Sequence, residues 1–398
     1  MRHIAQKLPG RASGFSIVEL LVAMVISLIV LAAVSSVLVS TKTTNTAQVA
    51  QARMQDNARI SVQIMSRGIR QAGYAGCSTP TVGSITNKLN GSGTAGNADI
   101  TSPLVGAEAG ASALSPNGEP LPPNALSTSD VLGLSYADGG NPLGVETPYM
   151  NNTTSELHVD PASTLVHQFD IVMVTDCKKG VIFEVTNDPI GNGSLVHNGG
   201  SVAQGPGNKD GSLGTVFDGN ASIVKFISYY YFVANNASGQ PSLYRMDAKN
   251  YGTYADGGPQ CTPSVTSGCW REDELVEGIE QLQVLYGIDT NSDGEVDQYV
   301  KADNAALSST DAWKHIYTVR LGILARTLAD NTIRGDKSSA SASAVDLDSN
   351  KYDVDGDGST DFDAGALPTT DSARRYQRHV FRTTIMVRNH SVTQSNTP

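Results

Sequence analysis

The chain has 398 residues, of which 17% are charged, 39 are glycine and 17 are proline. It carries 28 basic and 39 acidic residues, a formal net charge of −11. This acidic balance argues against nucleic acid or anionic lipid as a partner and suits divalent cations better. The length allows one large globular unit or two lobes, and the composition is typical of an exported, loop-rich protein.

The N-terminus begins with a basic segment and continues into an apolar run. Residues 1–14 contain three basic residues and no acid, which is typical of a cytoplasmic leader. In residues 15–41 the one charge is Glu19, and the 22 residues Leu20–Thr41 carry none, enough for one bilayer crossing. A charge inside hydrocarbon costs on the order of 3 kcal/mol, so Glu19 needs a partner or a purpose. Removing the leader would leave 25 basic and 39 acidic residues, a formal charge of −14.

The helical pattern does not stop at the end of the apolar run. Residues 42–73 alternate apolar and charged positions in an amphipathic pattern, and neither Gly nor Pro occurs between Phe15 and Arg67. A helix from Phe15 to Ala72 would span roughly 87 Å, far more than a bilayer needs. We therefore expect its second half to pack on a globular domain.

Residues 74–398 read as a β-rich globular head. Residues 78–155 are rich in small polar residues, which indicates long loops with short strands such as residues 130–136. Residues 274–289 fit a helix or a strand. Clear strand patterns, two of them with the alternation of half-buried strands, occur at residues 169–175, 180–186, 222–234, 313–328 and 381–387. The predicted fold class is α+β: a long N-terminal helix packed on an antiparallel sheet.

The start of the apolar run carries a specific motif. The residues from Gly14 through Phe15 to Glu19 resemble the processing site of type IV prepilins and type II secretion pseudopilins. The resemblance implies that a prepilin peptidase cuts between Gly14 and Phe15 and methylates the new Phe15 amine. It also implies that Glu19 pairs with the terminal amine of a neighbouring subunit. The alternative is a signal-anchor helix that holds an unrelated periplasmic domain.

Three further segments resemble the PilW minor pilins: residues 67–74 with Cys77 just after them, residues 286–289, and the closing residues 387–389. This resemblance implies a low-abundance subunit that primes type IV pilus assembly and sits at the pilus tip, in support of twitching motility and adhesion. The implied partners are other minor and major pilins, the inner-membrane assembly platform and a PilY-type tip adhesin. The implied location is the Gram-negative inner membrane with a periplasmic head, then the pilus.

Two alternatives remain open for this role. The chain is also similar to the J-type pseudopilin of type II secretion, and a tip-displayed, calcium-dependent adhesive module is a second possibility. Major pilins usually carry helix breakers in the apolar half, where this chain has Leu28 and Ser36. The sequence therefore favours a minor subunit.

The four cysteines all follow the apolar helix, and none forms a Cys-x-x-Cys pair. An even count in an exported chain favours disulfides over zinc or redox chemistry. Of the three possible pairings we favour Cys261 with Cys269, across a short loop, which leaves Cys77 with Cys177. The alternative is free buried thiols.

Two acidic loops carry the plausible metal chemistry. Oxygen-bearing side chains stand at positions 1, 3, 5 and 9 of each loop, with Gly at position 6, as in the first part of an EF-hand. Neither loop has Glu at position 12, where Val300 and Ala364 stand. We expect structural Ca²⁺ in each, and the alternative is a solvated Asp/Gly turn. The candidate ligands are Asp289, Asn291, Asp293, Glu295 and Asp297 in the first loop, and Asp353, Asp355, Asp357, Ser359 and Asp361 in the second.

Catalytic motifs are absent from the sequence. The seven histidines are scattered without His-Glu-x-x-His spacing, and none pairs with a Ser or Cys nucleophile in a recognisable pattern. We therefore expect no enzymatic activity and no cofactor other than calcium.

Overall fold

The computed structural model describes residues 16–76, 85–90, 103–116, 118–122, 124–200, 207–247, 272–291, 293–328, 350–367 and 376–389. The predicted leader therefore lies outside the described residues. The helices are α1 (Ile17–Gln71) and the short α2 (Thr310–Trp313). The strands are β1 (Ile85–Asn87), β2 (Leu104–Ala107), β3 (Ala113–Leu114), β4 (Glu119–Pro120), β5 (Val131–Gly144), β6 (Leu157–His158), β7 (Ile171–Thr175), β8 (Gly180–Glu184), β9 (Ser194–Leu195), β10 (Ser222–Asn235), β11 (Pro241–Asp247), β12 (Glu272–Glu277), β13 (Ile279–Ile288), β14 (Gln298–Val300), β15 (Ile316–Arg326), β16 (Lys351–Tyr352), β17 (Phe362–Asp363) and β18 (Arg378–Met386).

The long helix predicted from the sequence is confirmed. Helix α1 has 55 residues, and the Ser16 hydroxyl caps it by accepting a hydrogen bond from Val18 N at 3.3 Å. It ends before Gly73, whose φ of +77° favours glycine. The amide of Asn389 donates to the carbonyl oxygens of Arg70 and Ala72, each at 3.3 Å. The final described residues therefore fasten the end of the helix.

The larger sheet has eight strands, and β10 is central to it. One side of β10 pairs with β5, whereas the other side pairs first with β7 and then with β11. All pairs in this sheet are antiparallel except β1 with β8. The predicted antiparallel character is confirmed, and a second cluster of apolar side chains, from residues 143–223, packs around β7 and β8.

The smaller sheet is antiparallel in the order β14-β13-β15-β18. Its core face and the larger sheet enclose the buried side of α1, where Met54, Ala58, Met65 and Ile69 are at most 4% exposed. Burying side chains of this size stabilises the head by about 1.5–3 kcal/mol for each large one. The amphipathic half of α1 is thus a structural part of the head.

Three segments differ from the sequence-based expectation. The region predicted to be mainly loops contains the 14-residue strand β5. The ambiguous segment forms β12 and β13, which Gly278 separates with a φ of +78°. The sequence predicts a half-buried β15, but the strand is buried along most of its length, and the backbone at Val354 and Asp355 lies over it at Gly322. A Cβ at Gly322 would overlap the carbonyl oxygen of Val354.

Candidate functional site

The apolar half of α1 has no partner within the described part of the chain. Its large side chains, from Ile17 to Val39, are all more than 50% exposed. Among the described residues, α1 is the one helix long and apolar enough to cross a membrane. Glu19 lies exposed in its first turn, where the partial positive charge of a helix N-terminus favours a carboxylate. Gly14 and Phe15, the predicted processing site, lie outside the described residues.

The first acidic loop joins β13 to β14 and closes on its own hydrogen bonds. The Asp289 carboxylate accepts from the backbone N–H groups of Asn291 at 3.1 Å and Gly294 at 2.8 Å. The Asp297 carboxylate accepts from the N–H and the hydroxyl of Thr290 at 2.7 and 2.6 Å, and this bonding lowers its pKa. The loop therefore bends as predicted, with Gly294 at a φ of +89°.

An amide stands between the carboxylates of the first loop. The side-chain nitrogen of Asn291 donates to Asp293 at 3.0 Å and to Asp297 at 3.3 Å. The Asp289 side chain also receives a hydrogen bond from Tyr317, whose pKa is raised mainly by burial and then by the charge of Asp289. Glu295 is exposed at the turn, and its backbone N–H donates to Asp293 at 2.8 Å.

The second acidic loop joins β16 to β17 and brings three carboxylates together. Oxygens of Asp353, Asp355 and Asp361 lie within 4.8 Å of one another. Asp361 accepts from Val354 N at 2.6 Å, and Asp353 accepts from Gly356 N, also at 2.6 Å. These carboxylates form the one cluster of three or more acidic, His or Cys side chains with metal-site spacing among the described residues.

A lysine supplies positive charge to the second loop. The ammonium nitrogen of Lys301, just after β14, lies 3.2 Å from Asp357, 3.5 Å from Asp355 and 3.9 Å from Asp361. Burial alone would lower the pKa of Lys301, but the hydrogen bond to Asp357 and the neighbouring carboxylates raise it. The hydrogen bond from Ser359 and the contact with Lys301 lower the pKa of Asp357 to about 2, whereas burial raises the pKa of Asp355.

Position 12 of both loops is closed to a ligand. Val300 is 6% exposed in β14, and Ala364 is fully buried. The bidentate glutamate of an EF-hand therefore has no counterpart at that position. Any ion must take its ligands from positions 1 to 9, from backbone carbonyls or from water.

One cysteine lies in the described part of the chain. Cys177 stands in the turn between β7 and β8 and is disulfide-bonded. Cys77, Cys261 and Cys269 lie outside the described residues, so the connectivity stays a prediction.

Sequence reasoning missed a carboxyl pair beneath the smaller sheet. Asp130 is 1% exposed and accepts from Val284 N at 2.7 Å and Ala109 N at 2.9 Å, while Glu108 accepts from Ala302 N at 2.8 Å. Burial raises the pKa of Glu108 to about 7 and raises that of Asp130 well above its usual range, and the charge of Glu108 raises the pKa of Asp130 further. Glu108 stands in a segment predicted as a loop and Asp130 at the start of a predicted strand, so no sequence pattern indicated that they would lie together.

The fold and the exposed helix define a class: a pilin, in which an N-terminal helix anchors a β-rich head. Comparisons with known families agree. Residues 10–35 match the prokaryotic N-terminal methylation motif, and residues 230–389 match the type IV pilus-assembly protein W family, PilW. Residues 230–389 are thus similar to the PilW family and residues 10–35 to the prepilin-type motif, a combination that fits a minor pilin of a type IV pilus system.

The PilW match covers the second half of the head. It includes β13, the first acidic loop, the second acidic loop and the closing strand β18. No curated protein and no solved structure matches the chain. Residues 36–229 match neither family, so what we say of them comes from the structure alone.

Proposed function

We propose that this minor pilin primes type IV pilus assembly and sits at the pilus tip, in support of pilus biogenesis, twitching motility and adhesion. The observation that carries the proposal is the exposed apolar half of α1, which continues without a break into a helix fixed in the head. Such a surface is stable only in a bilayer or against other apolar helices, so one helix serves for membrane storage and for filament packing.

The chemistry of the N-terminus supports the same assignment. Glu19 stands 5 residues into the chain that remains after a cut before Phe15. A carboxylate and an ammonium that meet in apolar surroundings offset part of each other's desolvation cost. We propose a prepilin peptidase, an inner-membrane assembly platform, other pilins and a PilY-type adhesin as successive partners.

A role as J-type pseudopilin of type II secretion is the alternative assignment. Both systems use the same N-terminal chemistry, so Glu19 does not separate them. The match to the pilus-assembly family over residues 230–389 favours the pilus.

Deletion of the gene, scored for surface pili and for secretion, tests the assignment. We expect few or no surface pili and normal secretion. Normal pili with a secretion defect would instead indicate the pseudopilin, and normal pili with poor attachment would indicate a purely adhesive module.

Glu19→Ala tests the assembly step itself. We expect the variant to be processed and held in the membrane but to reach sheared pili at less than about a tenth of the wild-type level, since a buried ammonium would lose its partner. Glu19→Asp is the matched control that keeps the charge. Wild-type incorporation of the alanine variant would contradict the proposal.

A second candidate property is structural calcium in the acidic loops. We propose that the second loop binds Ca²⁺ through Asp353, Asp355 and Asp361, because their oxygens already converge. The Oδ2 atom of Asp355 is buried, accepts no hydrogen bond from the described residues and faces Lys301 at 3.5 Å. Calcium would displace that ammonium. We extend the proposal to the first loop with lower affinity, because its four carboxylates form no comparable cluster among the described residues.

Calorimetry of the full chain in detergent with CaCl₂ tests this property. We expect millimolar binding and a raised melting temperature. Lys301→Met should strengthen binding about tenfold, since the competing charge is gone, and Asp361→Asn should abolish binding at the second loop. Asp293→Asn is the matched change in the first loop. No heat of binding and no melting shift at millimolar Ca²⁺ would overturn the proposal.

A further inference from the structure

A cleft of about 340 Å³ opens between the two sheets, beside the turn that joins β10 to β11. Its buried floor contains Glu280 of β13 and Arg326 of β15, and its rim contains Asn235 and Gln240 from the larger sheet and its turn. This volume is at the small end of the range for ligand sites. The cleft therefore suits a ligand about the size of one sugar ring.

Arg326 is a buried cation that keeps unused hydrogen-bond donors. The residue is 8% exposed, and its guanidinium donates to the carboxylate of Glu280 at 3.2 Å and to the side-chain oxygen of Gln240 at 3.1 Å. These two bonds use two of the five N–H donors of a guanidinium. The Nε atom is buried and has no acceptor among the described residues. Buried charged donors are rarely left without acceptors in native structures, so the guanidinium can bind a further acceptor.

The counter-charge of Arg326 is incomplete. Glu280 is the one carboxylate that forms an ion pair with Arg326 in the part of the chain that the structure describes. The same carboxylate also accepts from the Nε atom of Arg378 at 2.5 Å and from its Nη2 atom at 3.0 Å. A carboxylate that two guanidiniums share neutralises Arg326 only in part, so the cleft favours an anion at its floor.

The other lining groups indicate what surrounds that anion. Phe362 and Tyr376 supply ring surface, and the guanidinium of Arg326 lies 4.2 Å from the centre of the Tyr376 ring. Thr128 and Asn235 are exposed at the rim and offer a hydroxyl and an amide for hydrogen bonds. A sugar that bears a carboxylate combines one anionic group with several hydroxyls and an apolar ring face, and it matches this lining.

The backbone of the turn argues against a phosphate or a peptide terminus as the ligand. Such groups are commonly bound by clusters of free backbone N–H groups. Here the N–H groups of Ser238 and Gln240 both donate to the Asn236 side-chain oxygen at 3.0 Å, and that of Gly239 donates to the Asn236 carbonyl oxygen at 2.8 Å. These donors are therefore already used within the turn.

Acidic residues beside the rim limit the ligand to a single charge. The amide of Asn236 donates to the carboxylates of Glu274 at 2.9 Å and Glu277 at 3.5 Å. These carboxylates would repel a polyanion at the rim. They leave room for a ligand whose one carboxylate reaches the floor while neutral hydroxyl groups lie at the rim.

We propose that this cleft binds the terminal acidic sugar of a glycan. The sugar carboxylate contacts Arg326, and the sugar ring lies beside Tyr376. The hydroxyl groups of the sugar bond to Thr128 and Asn235. The inference deepens the adhesive part of the proposed function and rests on it, because a glycan on another surface reaches the cleft only when the head is displayed on the pilus.

Ligand-observed NMR of the full chain in detergent tests the proposal. The probes are methyl glucuronide and methyl galacturonide, each beside its neutral counterpart, methyl glucoside and methyl galactoside. Each pair differs only by a carboxylate in place of a hydroxymethyl group. We expect at least one uronide to bind about tenfold more tightly than its neutral counterpart, since hydrogen bonds to charged groups are the stronger ones. No binding of either uronide, or equal binding within both pairs, would overturn the proposal.

Gln240→Glu separates binding from folding. The new carboxylate would stand 3.1 Å from the Nη2 atom of Arg326 and supply the missing counter-charge from within the chain. We expect the melting temperature to be no lower and the uronide affinity to fall about tenfold. Gln298→Glu makes the same change at an exposed position in β14 and should keep the wild-type affinity. Wild-type uronide affinity in the Gln240 variant would overturn the proposal.

Pilus assembly distinguishes this inference from the proposed function. The Gln240→Glu strain should carry the wild-type amount of sheared pili, since Gln240 does not contact the apolar half of α1. Normal pili in the deletion strain would overturn the assembly role and leave the sugar-binding result standing. Failure of both uronides to bind the purified chain would overturn the sugar site and leave the assembly role intact.

Discussion

The two acidic loops have the same spacing of oxygen-bearing side chains but different positions on the smaller sheet. The first extends past the end of β13 and β14, and its neighbours are its own backbone, the Asn291 amide and Tyr317, which donates to Asp289. The second lies over β15 and β18, where Lys301 and Arg382 provide positive charge. The guanidinium of Arg382 donates to the carbonyl oxygen of Val354 at 3.1 Å and to that of Asp353.

This difference shows what an alternating Asp pattern determines. The pattern sets the bend of the chain, since the aspartates at the start of each loop accept from backbone N–H groups two to five residues later. It does not determine the counter-charge, which comes from the surroundings. The second loop is therefore both a candidate metal site and part of the packing of the sheet, whereas the first loop is held mainly by its own hydrogen bonds.

The largest expected effect is a loss of stability from a steric clash, which should be greater beneath the second loop than near the first. Gly322→Ala should lower the free energy of unfolding by about 3 kcal/mol, because the new Cβ would push against the backbone at Val354 and lift the second loop. Gly287→Ala, near the first loop, is the control. Its Cβ would meet side chains such as Thr318, which can rotate, so we expect about 1 kcal/mol. Denaturant unfolding of the full chain in detergent measures both, and equal losses would contradict the assigned packing.

An effect of intermediate size is the loss of stability when one carboxylate is neutralised, which should be greater in the second loop than in the first. Asp357→Asn should destabilise the head by about 1.5 kcal/mol without calcium, because the carboxylate whose pKa is lowered to about 2 loses its contact with Lys301. The value allows for the partial exposure of Lys301. Asp293→Asn in the exposed first loop should change stability by less than about 0.5 kcal/mol. If the two variants were equally stable, the second loop would not be part of the packing.

Much of the fold could be predicted because its signals are local. The length of α1 follows from an uninterrupted helical stretch, and strands such as β7 and β10 follow from β-branched and aromatic residues between turn signals. The covering of β15 could not be predicted, since a distant segment with its own turn chemistry produces it. The same holds for Lys301, whose partners are 54 to 60 residues away in the sequence.

The buried carboxyl pair connects the second loop to the core. Ala302, next to Lys301, donates to Glu108, and the charges of Asp303 and Asp355 help to raise the Glu108 pKa, although burial is the main cause. No comparable group lies beside the first loop among the described residues with a raised carboxyl pKa. Sequence patterns carry no sign of this pair, because its members are brought together by pairing of β2 with β5.

The smallest expected effect is a pH dependence centred on Glu108. Its folded-state pKa of about 7 lies above the ordinary value of 4.5, so the folded protein binds more protons than the unfolded chain between these values. The stability contribution is complete below pH 4.5 and is lost as the pH rises through 7. Glu108→Gln should flatten this dependence and raise stability at pH 8 by about 1 kcal/mol, a value discounted for the partial exposure of the carboxyl group. Glu146→Gln, at an exposed position, is the control, and an unchanged pH profile in the Glu108 variant would show that the carboxyl ionises freely in the folded head.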